Sequence, residues 1–465
     1  MNIILISPSQ GDVYGNFQPP YHPSIGLGYI GAVLEKQGHN VKIIDIDADR
    51  VTEDDLRKRI VEDKIDLAGI MVLTPIFTNA VRTAHIIKKC SNVKVVFGGM
   101  HPTIMPQDCL KIKDVDFVVI GEGEQTILEL INQIQGEGKF KDVKGVGFKK
   151  DEKIIINENR PLIEDLDSLP FPAMRLFNNI KYTYPDAIAS PTFPIVTSRG
   201  CPGTCTYCSA QSMFGRKFRA RSAVNIVDEI EKLIKDFGVK EVHIWDDNFV
   251  TIKERVLKVR DEIKKRAIFI KFAFPNGVRA DFLDKDVIGA LKEMGTYSIG
   301  LGIESGNNEI LRRVKKNINL DKIKDAVKLA KKSGIEVWGF FMLGLPGETK
   351  ETVNNTIKFA IDLDPDIAKF HILKPYPGTE VFKEFVNNNL IDDFDFSHYG
   401  IHTGPVHHLK NLAVEEMNYL QRSAYKKFYF RPSKIINQII RLKSFTRIKL
   451  NIKVSLSVIR KAFTK

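Results

Sequence analysis

Three of the five cysteines of this 465-residue chain fall within one short segment, TSRGCPGTCTYCSA at 197–210. Cys201, Cys205 and Cys208 have the spacing C-x3-C-x2-C. A structural zinc site usually has four protein ligands, and the closest downstream histidine, His243, falls on a different predicted unit. A four-iron cluster normally takes four thiolates, so three cysteines leave one iron open to bind a substrate. The spacing therefore predicts an iron-sulfur site.

The composition is that of a soluble globular protein, with 43% hydrophobic and 27% charged residues. No apolar run approaches the ~20 residues that span a bilayer, and the start MNIILISPSQ lacks the pattern of a secretory signal. We therefore expect a cytoplasmic protein, in which clustered thiols indicate metal or redox chemistry rather than disulfides. Cys90 and Cys109 have no partner spacing, and we expect them to be inert.

The net charge of +12 is concentrated at one end of the chain. Residues 431–465 contain ten Lys or Arg and no Asp or Glu. The rest of the chain is therefore close to neutral, which argues against the broad basic surface of a nucleic-acid-binding domain. The tail itself fits either contact with an anionic membrane surface or a closing helix followed by a solvated basic end.

Residues 1–140 alternate short apolar strands with amphipathic helices, which predicts an α/β, doubly wound, Rossmann-like parallel sheet. Strands are predicted at 2–6, 41–46, 67–73, 94–97 and 117–120, with helices at 25–37, 53–63, 78–90 and 125–133. Ligands of such sheets bind beyond the carboxyl ends of the strands. The loops at that edge include Thr74, Gly98, Gly99, His101, Gly121 and Glu122. One such glycine alone indicates only a tight turn, but several at one edge favour a bound ligand.

Residues 141–190, a hairpin-like stretch followed by the proline-rich DLDSLPFPAM, are typical of a linker. Residues 191–400 alternate again, with strands predicted at 195–198, 241–245, 268–274, 297–303, 336–342 and 367–373. Six β/α units predict a partial, open, TIM-like barrel whose chemistry lies on the loops after the strands. The cysteine segment is the first of these loops. Residues 401–465 are predicted to form a short helical, basic C-terminal region.

These motifs resemble the radical S-adenosylmethionine superfamily, in the group whose barrel follows a cobalamin-binding domain. The resemblance is carried by the cysteine motif with Tyr207 before its last cysteine and by segments at the later strand ends. Those segments are HIWDDNF (243–249), NGVRAD (276–281), GLGIESG (300–306) and GFFMLGLPGET (339–349). In the N-terminal part, VVFGGMHPT (95–103) and VVIGEGEQT (118–126) look like the cobalamin-binding domain. The resemblance covers everything except the basic tail.

The resemblance implies that the three cysteines hold a 4Fe-4S cluster whose open iron binds S-adenosylmethionine. Electron transfer then cleaves the sulfonium to give methionine and a 5'-deoxyadenosyl radical. The implied cofactor contacts are Asp246 and Asp247 with the methionine ammonium, Arg279 with its carboxylate, Glu304 and Ser305 with the ribose, and Gly344 with adenine. The alternatives are ordinary: a helix cap for either aspartate, a surface ion pair for Arg279, and turn chemistry around Gly344.

The resemblance also implies cobalamin, bound with its nucleotide tail beside Gly98 and Gly99. The Asp-x-His-x-x-Gly loop that supplies a lower histidine ligand in many corrinoid proteins does not occur in this sequence. His101 is left as a contact rather than a cobalt ligand. A domain that has kept the fold without the cofactor is the alternative.

We therefore expect a cobalamin-dependent radical enzyme that methylates an unactivated carbon of a small-molecule or lipid-like substrate. One alternative is radical ring closure or rearrangement without methyl transfer. Another is a non-catalytic cobalamin sensor or scaffold. A transfer-RNA methylthiotransferase is disfavoured because its second cysteine set is missing upstream. The expected electron donor is a flavodoxin or ferredoxin, with no nucleic-acid partner and with peripheral membrane contact through the basic tail.

Overall fold

The structure is a computed structural model that describes residues 1–11, 22–136, 138–178, 182, 184 and 186–441. Most of the loop after the first strand, 12–21, lies outside the described residues. The same is true of the last part of the basic tail, 442–465.

The N-terminal sheet has seven strands in the order β2-β1-β3-β4-β5-β6-β7. They are β1 (Asn2–Ser7), β2 (Asn40–Asp45), β3 (Leu67–Met71), β4 (Lys94–Gly98), β5 (Phe117–Val119), β6 (Val146–Lys150) and β7 (Lys153–Ile156). The first five are mutually parallel. Their nearly continuous apolar sequences follow from burial on both faces. The order reverses between β1 and β3, which makes the loops after these strands the expected ligand crevice.

Helices connect the parallel strands. They are α1 (Ile25–Lys36), α2 (Glu53–Glu62), α3 (Phe77–Cys90), α4 (Met100–Ile104), α5 (Pro106–Lys111) and α6 (Gly123–Gln135). Thr52 caps α2 by accepting the Asp55 N–H, and the Asp55 side chain accepts the Thr52 N–H in return. This reciprocal capping box satisfies two backbone donors at the start of the helix.

The hairpin β6–β7, which the sequence analysis places in the linker, belongs to the N-terminal sheet. β6 pairs antiparallel with β5, and β7 pairs antiparallel with β6. The edge of β5 would otherwise carry unpaired backbone groups, and the hairpin covers it. The sheet therefore continues past the predicted boundary at residue 140.

The second sheet is the predicted partial barrel, with six parallel strands in sequential order, β8-β11-β12-β13-β14-β15. They are β8 (Thr192–Ile195), β11 (Glu241–Ile244), β12 (Lys271–Val278), β13 (Thr296–Glu304), β14 (Glu336–Leu343) and β15 (Ile367–Ile372). Around them lie α7 (Ala210–Phe214), α8 (Ala223–Phe237), α9 (Lys253–Lys265), α10 (Lys285–Glu293), α11 (Asn308–Arg313), α12 (Leu320–Lys332), α13 (Lys350–Leu363) and α14 (Glu380–Asn387). β8 and β15 do not pair, so the barrel is open.

The first barrel strand lies three residues earlier than the predicted 195–198. After Ile195 the chain leaves the barrel, because the Thr197 N–H donates to the Asp246 side chain (2.6 Å) instead of to a neighbouring strand. Ser198–Arg199 (β9) then pairs antiparallel with Arg219–Ala220 (β10) in a separate two-stranded ribbon. The three cysteines lie in the connection between the two strands of this ribbon, residues 200–218.

The C-terminal region contains α15 (Val414–Tyr429) and α16 (Pro432–Arg441). α15 lies along β15, the last strand of the open barrel. The Tyr425 hydroxyl accepts the Phe370 N–H at 3.2 Å, and the Tyr429 hydroxyl donates to the Ala368 carbonyl at 2.9 Å. α15 therefore closes the barrel beside its last strand, and membrane contact through the basic tail stays a prediction. Within the described residues, no helix combines the length and apolar character needed to cross a membrane.

A buried ion cluster joins the two sheets. We call Glu122, Glu124, Arg199 and Arg219 the interdomain ion cluster. Arg199 donates to Glu122 at 2.7 Å and to Glu124 at 2.5 Å, and Arg219 donates to Glu122 at 2.8 Å. All four residues are buried. Since ions that leave water need partners of good geometry, this cluster fixes the register of the N-terminal sheet edge against the start of the barrel.

Candidate functional site

The cysteine segment is held from three directions. The Thr206 N–H donates to the Val314 carbonyl (3.0 Å), and the Thr206 carbonyl accepts the Val381 N–H (3.1 Å). The Gln211 side chain, from α7, donates to the Gly203 carbonyl at 2.7 Å. The loop is thus fixed by barrel elements that follow it by more than a hundred residues and by the helix directly after it.

The sulfurs of Cys201 and Cys205 flank Gly203. A Cβ atom on this glycine would lie 3.4 Å from Cys201 Sγ and 3.9 Å from Cys205 Sγ. The Gly203 N–H also points to Cys201 Sγ, with the nitrogen 3.4 Å from the sulfur. The loop backbone at Gly203 therefore lies in contact range of both sulfurs.

The thiols suit metal ligation. Burial raises the pKa of Cys201, and it raises the pKa of Cys208 to about 11. Without a bound cation these groups stay protonated at neutral pH, whereas a coordinated metal removes the thiol proton. Within the described parts of the chain, no three His, Cys, Asp or Glu side chains converge on one metal ion. A cubane takes one thiolate per iron, so its cysteines do not have to converge, and the trio fits such a cluster.

Arg279 lies beside the cysteine segment. Its Nη1 atom is 3.9 Å from Cys205 Sγ. The same guanidinium donates to both carboxylate oxygens of Asp281 (3.0 and 2.7 Å) and to the Lys316 carbonyl (2.9 Å). This half-buried ion pair orients the cation toward the sulfurs, where it opposes the negative charge of thiolates.

The predicted ribose contact Glu304 ends β13 in an unusual conformation. Its φ of 66° lies in the left-handed region, where a residue with a side chain costs ~1–3 kcal/mol and is most often found at functional sites. Lys316 donates to Glu304 Oε1 at 3.0 Å, and both side chains are buried. Gly302 leaves the space for this pair, since a Cβ there would lie 2.7 Å from Glu304 Oε1. Sequence reasoning missed Lys316, because VKKNI carries no motif.

The two aspartates after β11 differ in role. Asp246 is 2% exposed, and its carboxylate accepts the Thr197 N–H, the Thr197 hydroxyl and the Ser198 hydroxyl. Its hydrogen-bonding capacity is used in shaping the end of β8. Its predicted contact with the methionine ammonium stays a prediction. Asp247 keeps an exposed carboxylate that accepts the Gly200 N–H at 2.9 Å, immediately before Cys201.

Ser305 and Gly344 also contact neighbouring parts of the protein. Ser305 is fully buried, and its hydroxyl contacts the Thr356 hydroxyl at 3.2 Å. Gly344 (φ 80°) lies against the C-terminal region, where a Cβ would lie 2.8 Å from Met417 Sδ and 2.9 Å from His407 Nε2. The Ser305 side chain and the Cβ position of Gly344 thus adjoin packed protein, and the predicted contacts to S-adenosylmethionine stay predictions.

A cavity of about 280 Å³ separates the carboxyl edge of the N-terminal sheet from the start of the barrel. Its wall is mostly apolar and includes Met71, Gly98, Gly99, Val119 and Gly121 from the sheet, with Ile25, Gly26, Leu27, Tyr29 and Ile30 from α1. The barrel contributes Val196, Ser198, Trp245 and Asp247. Asp247 therefore borders both this cavity and the cysteine segment.

The predicted cobalamin contacts separate into two groups. Gly98 and Gly121 line the cavity, and the space beside each is open: a Cβ would meet only Val119 Cβ at 4.0 Å from Gly98, and nothing within 4 Å from Gly121. Gly99 (φ 109°) turns the chain where a Cβ would lie 3.0 Å from the Val72 carbonyl. These glycines form a cradle that fits the flat or extended part of a large ligand.

Thr74 and His101 lie behind that cradle. His101 is fully buried, its Nδ1 lies 3.2 Å from the Thr74 hydroxyl, and its ring packs between Phe77 and Phe396. Burial lowers the pKa of His101 to about 4, so the ring is neutral. Neither residue is part of the cavity wall, but His101 Nε2 is buried with no hydrogen-bond partner among the described residues. The cobalamin contacts of Thr74 and His101 stay predictions. Glu122 borders the cavity, but its carboxylate is occupied by the interdomain ion cluster.

Comparisons with known proteins agree with this architecture. Residues 13–131 match the B12 binding domain, and residues 195–360 match the radical SAM superfamily. An uncharacterised methyltransferase of Pyrococcus horikoshii is 35% identical over 94% of this chain and 95% of its own length. The anaerobic magnesium-protoporphyrin IX monomethyl ester cyclase of Rubrivivax gelatinosus is 30% identical over 92% of this chain and 77% of that protein.

Among solved structures, the cobalamin-dependent S-adenosylmethionine radical enzyme OxsB has the same fold. Its TM-score is 0.77 at 17% identity, covering 99% of this chain and 72% of that one. The fold and the site thus define a class of enzyme in which a Rossmann-like parallel sheet is followed along the chain by an open barrel that carries three cysteines. The chain belongs to the cobalamin-binding group of the radical SAM superfamily. Its cofactors are an iron-sulfur cluster, S-adenosylmethionine and cobalamin.

Proposed function

We propose that this enzyme methylates an unactivated carbon atom of a small organic substrate. The observation that carries the proposal is the position of Asp247. This residue lines the cavity at the N-terminal sheet and also accepts the N–H next to Cys201. The two cofactor regions therefore share a wall, which allows one substrate to be reached from both.

When bound, S-adenosylmethionine at the iron-sulfur cluster would supply radical chemistry, and cobalamin would supply methyl-transfer chemistry. The chain's own residues position these groups. Cys201, Cys205 and Cys208 bind the cluster. The exposed carboxylate of Asp247 accepts hydrogen bonds from an ammonium group, and such charge-assisted bonds are short and directional.

Glu304 and Lys316 form the second positioning element. The Glu304 oxygen not bonded to Lys316 is left to accept from a ligand hydroxyl, and the lysine holds the carboxylate in its strained position. The apolar cavity wall has a different role, because it keeps water away from the space between the two cofactors. Exclusion of water protects a reactive intermediate from side reactions.

Product analysis tests the proposal. The reconstituted enzyme, reduced anaerobically with substrate present, is expected to form both S-adenosylhomocysteine and 5'-deoxyadenosine. Withholding cobalamin should abolish S-adenosylhomocysteine while leaving 5'-deoxyadenosine. Formation of S-adenosylhomocysteine at an unchanged rate without cobalamin would contradict the proposal.

Ring closure is the second candidate, favoured by the 30% identity to the anaerobic cyclase. The same assay separates the two functions, since a cyclase forms 5'-deoxyadenosine without S-adenosylhomocysteine. A non-catalytic sensor forms neither product, and in that case Cys201→Ala would leave the biological activity intact.

The reaction also requires an electron source and a reducing compartment. We propose a flavodoxin- or ferredoxin-type donor and a cytoplasmic location, since thiolate-bound clusters and unpaired cysteines persist under reducing conditions. Replacing a chemical reductant with flavodoxin and its reductase should sustain turnover. Failure of both donor proteins, with the chemical reductant active, would contradict this assignment.

A further inference from the structure

The inward residues of the last two barrel strands are in part less buried than the outward ones. On β15, the outward residues Ala368 and Phe370 are buried, and Phe370 packs against α15 through Tyr425. The inward residue Lys369 keeps partial exposure. β14 shows the same pattern, with Phe341 buried and the inward Phe340 partly exposed. A filled barrel has the opposite pattern, because its inward side chains form the packed core.

Lys369 extends into this interior with only aromatic rings around its charge. Its Nζ lies 4.4 Å from the centroid of the Trp338 ring and 5.4 Å from that of Phe340. Among the described residues, none forms an ion pair or a hydrogen bond with this ammonium. Desolvation lowers its pKa, and the opposing influence is the carboxylate of Asp186, which lies beyond ion-pairing distance.

The other enclosed lysines of the barrel all have oxygen partners. Lys316 contacts Glu304, and Lys434 contacts Asp364 at 3.0 Å. Lys374 donates to the His398 carbonyl, the Thr403 hydroxyl and the Gly404 carbonyl. A cation held away from water needs such partners, and aromatic faces offset only part of the cost. Lys369 is therefore the enclosed lysine whose charge is left for a ligand.

We propose that Lys369 binds a carboxylate group of the substrate, and that the substrate is an organic acid with an apolar body against Trp338 and Phe340. This inference rests on the proposed function and specifies its substrate class. A single ammonium with Asp186 nearby matches a monoanion better than a phosphate, which usually has several donors. Lys369 lies three residues before the end of β15, or ~10 Å along the strand. The carboxylate of the substrate would thus lie deep inside the barrel, and the apolar part of the substrate would extend toward the cysteine segment.

Equilibrium dialysis of the reconstituted full-length enzyme with radiolabelled octanoate, without reductant, tests this assignment. Octanamide has the same chain without the charge, and octyl phosphate carries a different acid group. We expect octanoate to bind at least 10-fold more tightly than octanamide. Lys369→Met should remove the difference between the two probes, and Lys369→Arg should retain it.

Equal binding of octanoate and octanamide to the unmodified enzyme would overturn the proposal. A carboxylate preference that survives Lys369→Met would do so as well, provided that this variant unfolds at the normal temperature. Tighter binding of octyl phosphate than of octanoate would assign the site to phosphates instead. Because binding is measured without radical chemistry, failure here is distinct from failure to form S-adenosylhomocysteine.

Discussion

The cavity at the N-terminal sheet and the mouth of the barrel are built on different principles. Glycines and apolar side chains wall the cavity, and Thr74 and His101, the polar residues assigned to it from the sequence, are not part of that wall. Around the cysteines, by contrast, charged side chains are each fixed by a partner, as with Glu304 and Lys316. The first region thus selects a ligand by shape, and the second by directed bonds. Substitutions that enlarge a side chain should therefore weaken ligand binding in the cavity, whereas substitutions that remove a polar or thiol group should impair the site at the barrel mouth.

The largest effect is expected from removing one thiolate. Cys201→Ala, Cys205→Ala and Cys208→Ala should each abolish both 5'-deoxyadenosine formation and the brown iron-sulfur absorbance, because the cluster loses one of its three protein ligands. Iron and sulfide analysis after anaerobic reconstitution measures the loss. Cys90→Ala is the matched control and should bind iron normally. Full iron content in any one of Cys201→Ala, Cys205→Ala or Cys208→Ala would contradict the assignment of that cysteine as a cluster ligand.

The next largest effect concerns the contact between the regions. Arg199→Met leaves Glu124 buried without its arginine partner and should lower the free energy of unfolding by ~3–5 kcal/mol. The double variant Arg199→Met with Glu124→Gln should recover part of this loss, because it removes the unpaired charge. Denaturant unfolding measures both.

Lys253→Met is the control for that experiment. Lys253 pairs with Asp284 on the surface, and such exposed pairs contribute little to stability because water and salt screen them. If Arg199→Met lowered the free energy of unfolding as little as Lys253→Met does, the interdomain ion cluster would not be what holds the two sheets together.

Filling the cavity should affect binding without affecting folding. The backbone of Gly98 does not have a positive φ, and an added Cβ has open space. Gly98→Ala should weaken cobalamin binding slightly and Gly98→Leu by at least tenfold, with unfolding temperatures near that of the unmodified enzyme. Cobalamin retention on gel filtration measures the effect. Normal retention by Gly98→Leu would rule out selection by shape at this position.

A pH experiment probes a buried acid below the barrel mouth. Glu348 Oε2 accepts the N–H groups of Gly344 and Leu345, and burial raises the pKa of Glu348 to about 8. The folded protein therefore holds a proton that the unfolded chain, with a pKa of ~4.3, releases. Stability from this group is complete below pH ~4.3 and falls as pH rises toward 8, by a few kcal/mol at most. Glu348→Gln should flatten that slope in urea unfolding measured across this range.

The smallest effect is expected at the tail. Ile435 and Ile436 of α16 are 45% and 55% exposed beside basic residues. We expect the full-length enzyme to sediment weakly with vesicles containing phosphatidylserine and not with neutral ones, because basic amphipathic segments bind anionic surfaces. Ile436→Asp should reduce the sedimented fraction. Equal sedimentation with both vesicles would contradict a charge-dependent contact.

The sequence predicted the architecture well and the individual contacts less well. The alternation of apolar strands and amphipathic helices placed most element ends within three residues, since burial on both faces imposes a simple pattern. β6 and β7 were assigned to the linker because nothing in their composition shows which edge they pair with. Asp246, Ser305 and Gly344 match family motifs, yet their partners come from elsewhere in the barrel. Spacing along the chain contains no information on such partners, and the same reason hid Lys316 and Lys369.

The pairing of α15 with β15 has a consequence for solubility. A complete eightfold barrel has no terminal strand, whereas this one ends with a row of backbone donors and acceptors that another chain can pair with. Tyr425, Tyr429 and Gln421 engage the Phe370 and Ala368 backbone and so occupy part of that row. The two tyrosine hydroxyls thereby reduce the chance that another chain pairs with β15. The open barrel, with six of the eight strands of a closed one, is thus protected at its last strand by a helix that takes no part in catalysis.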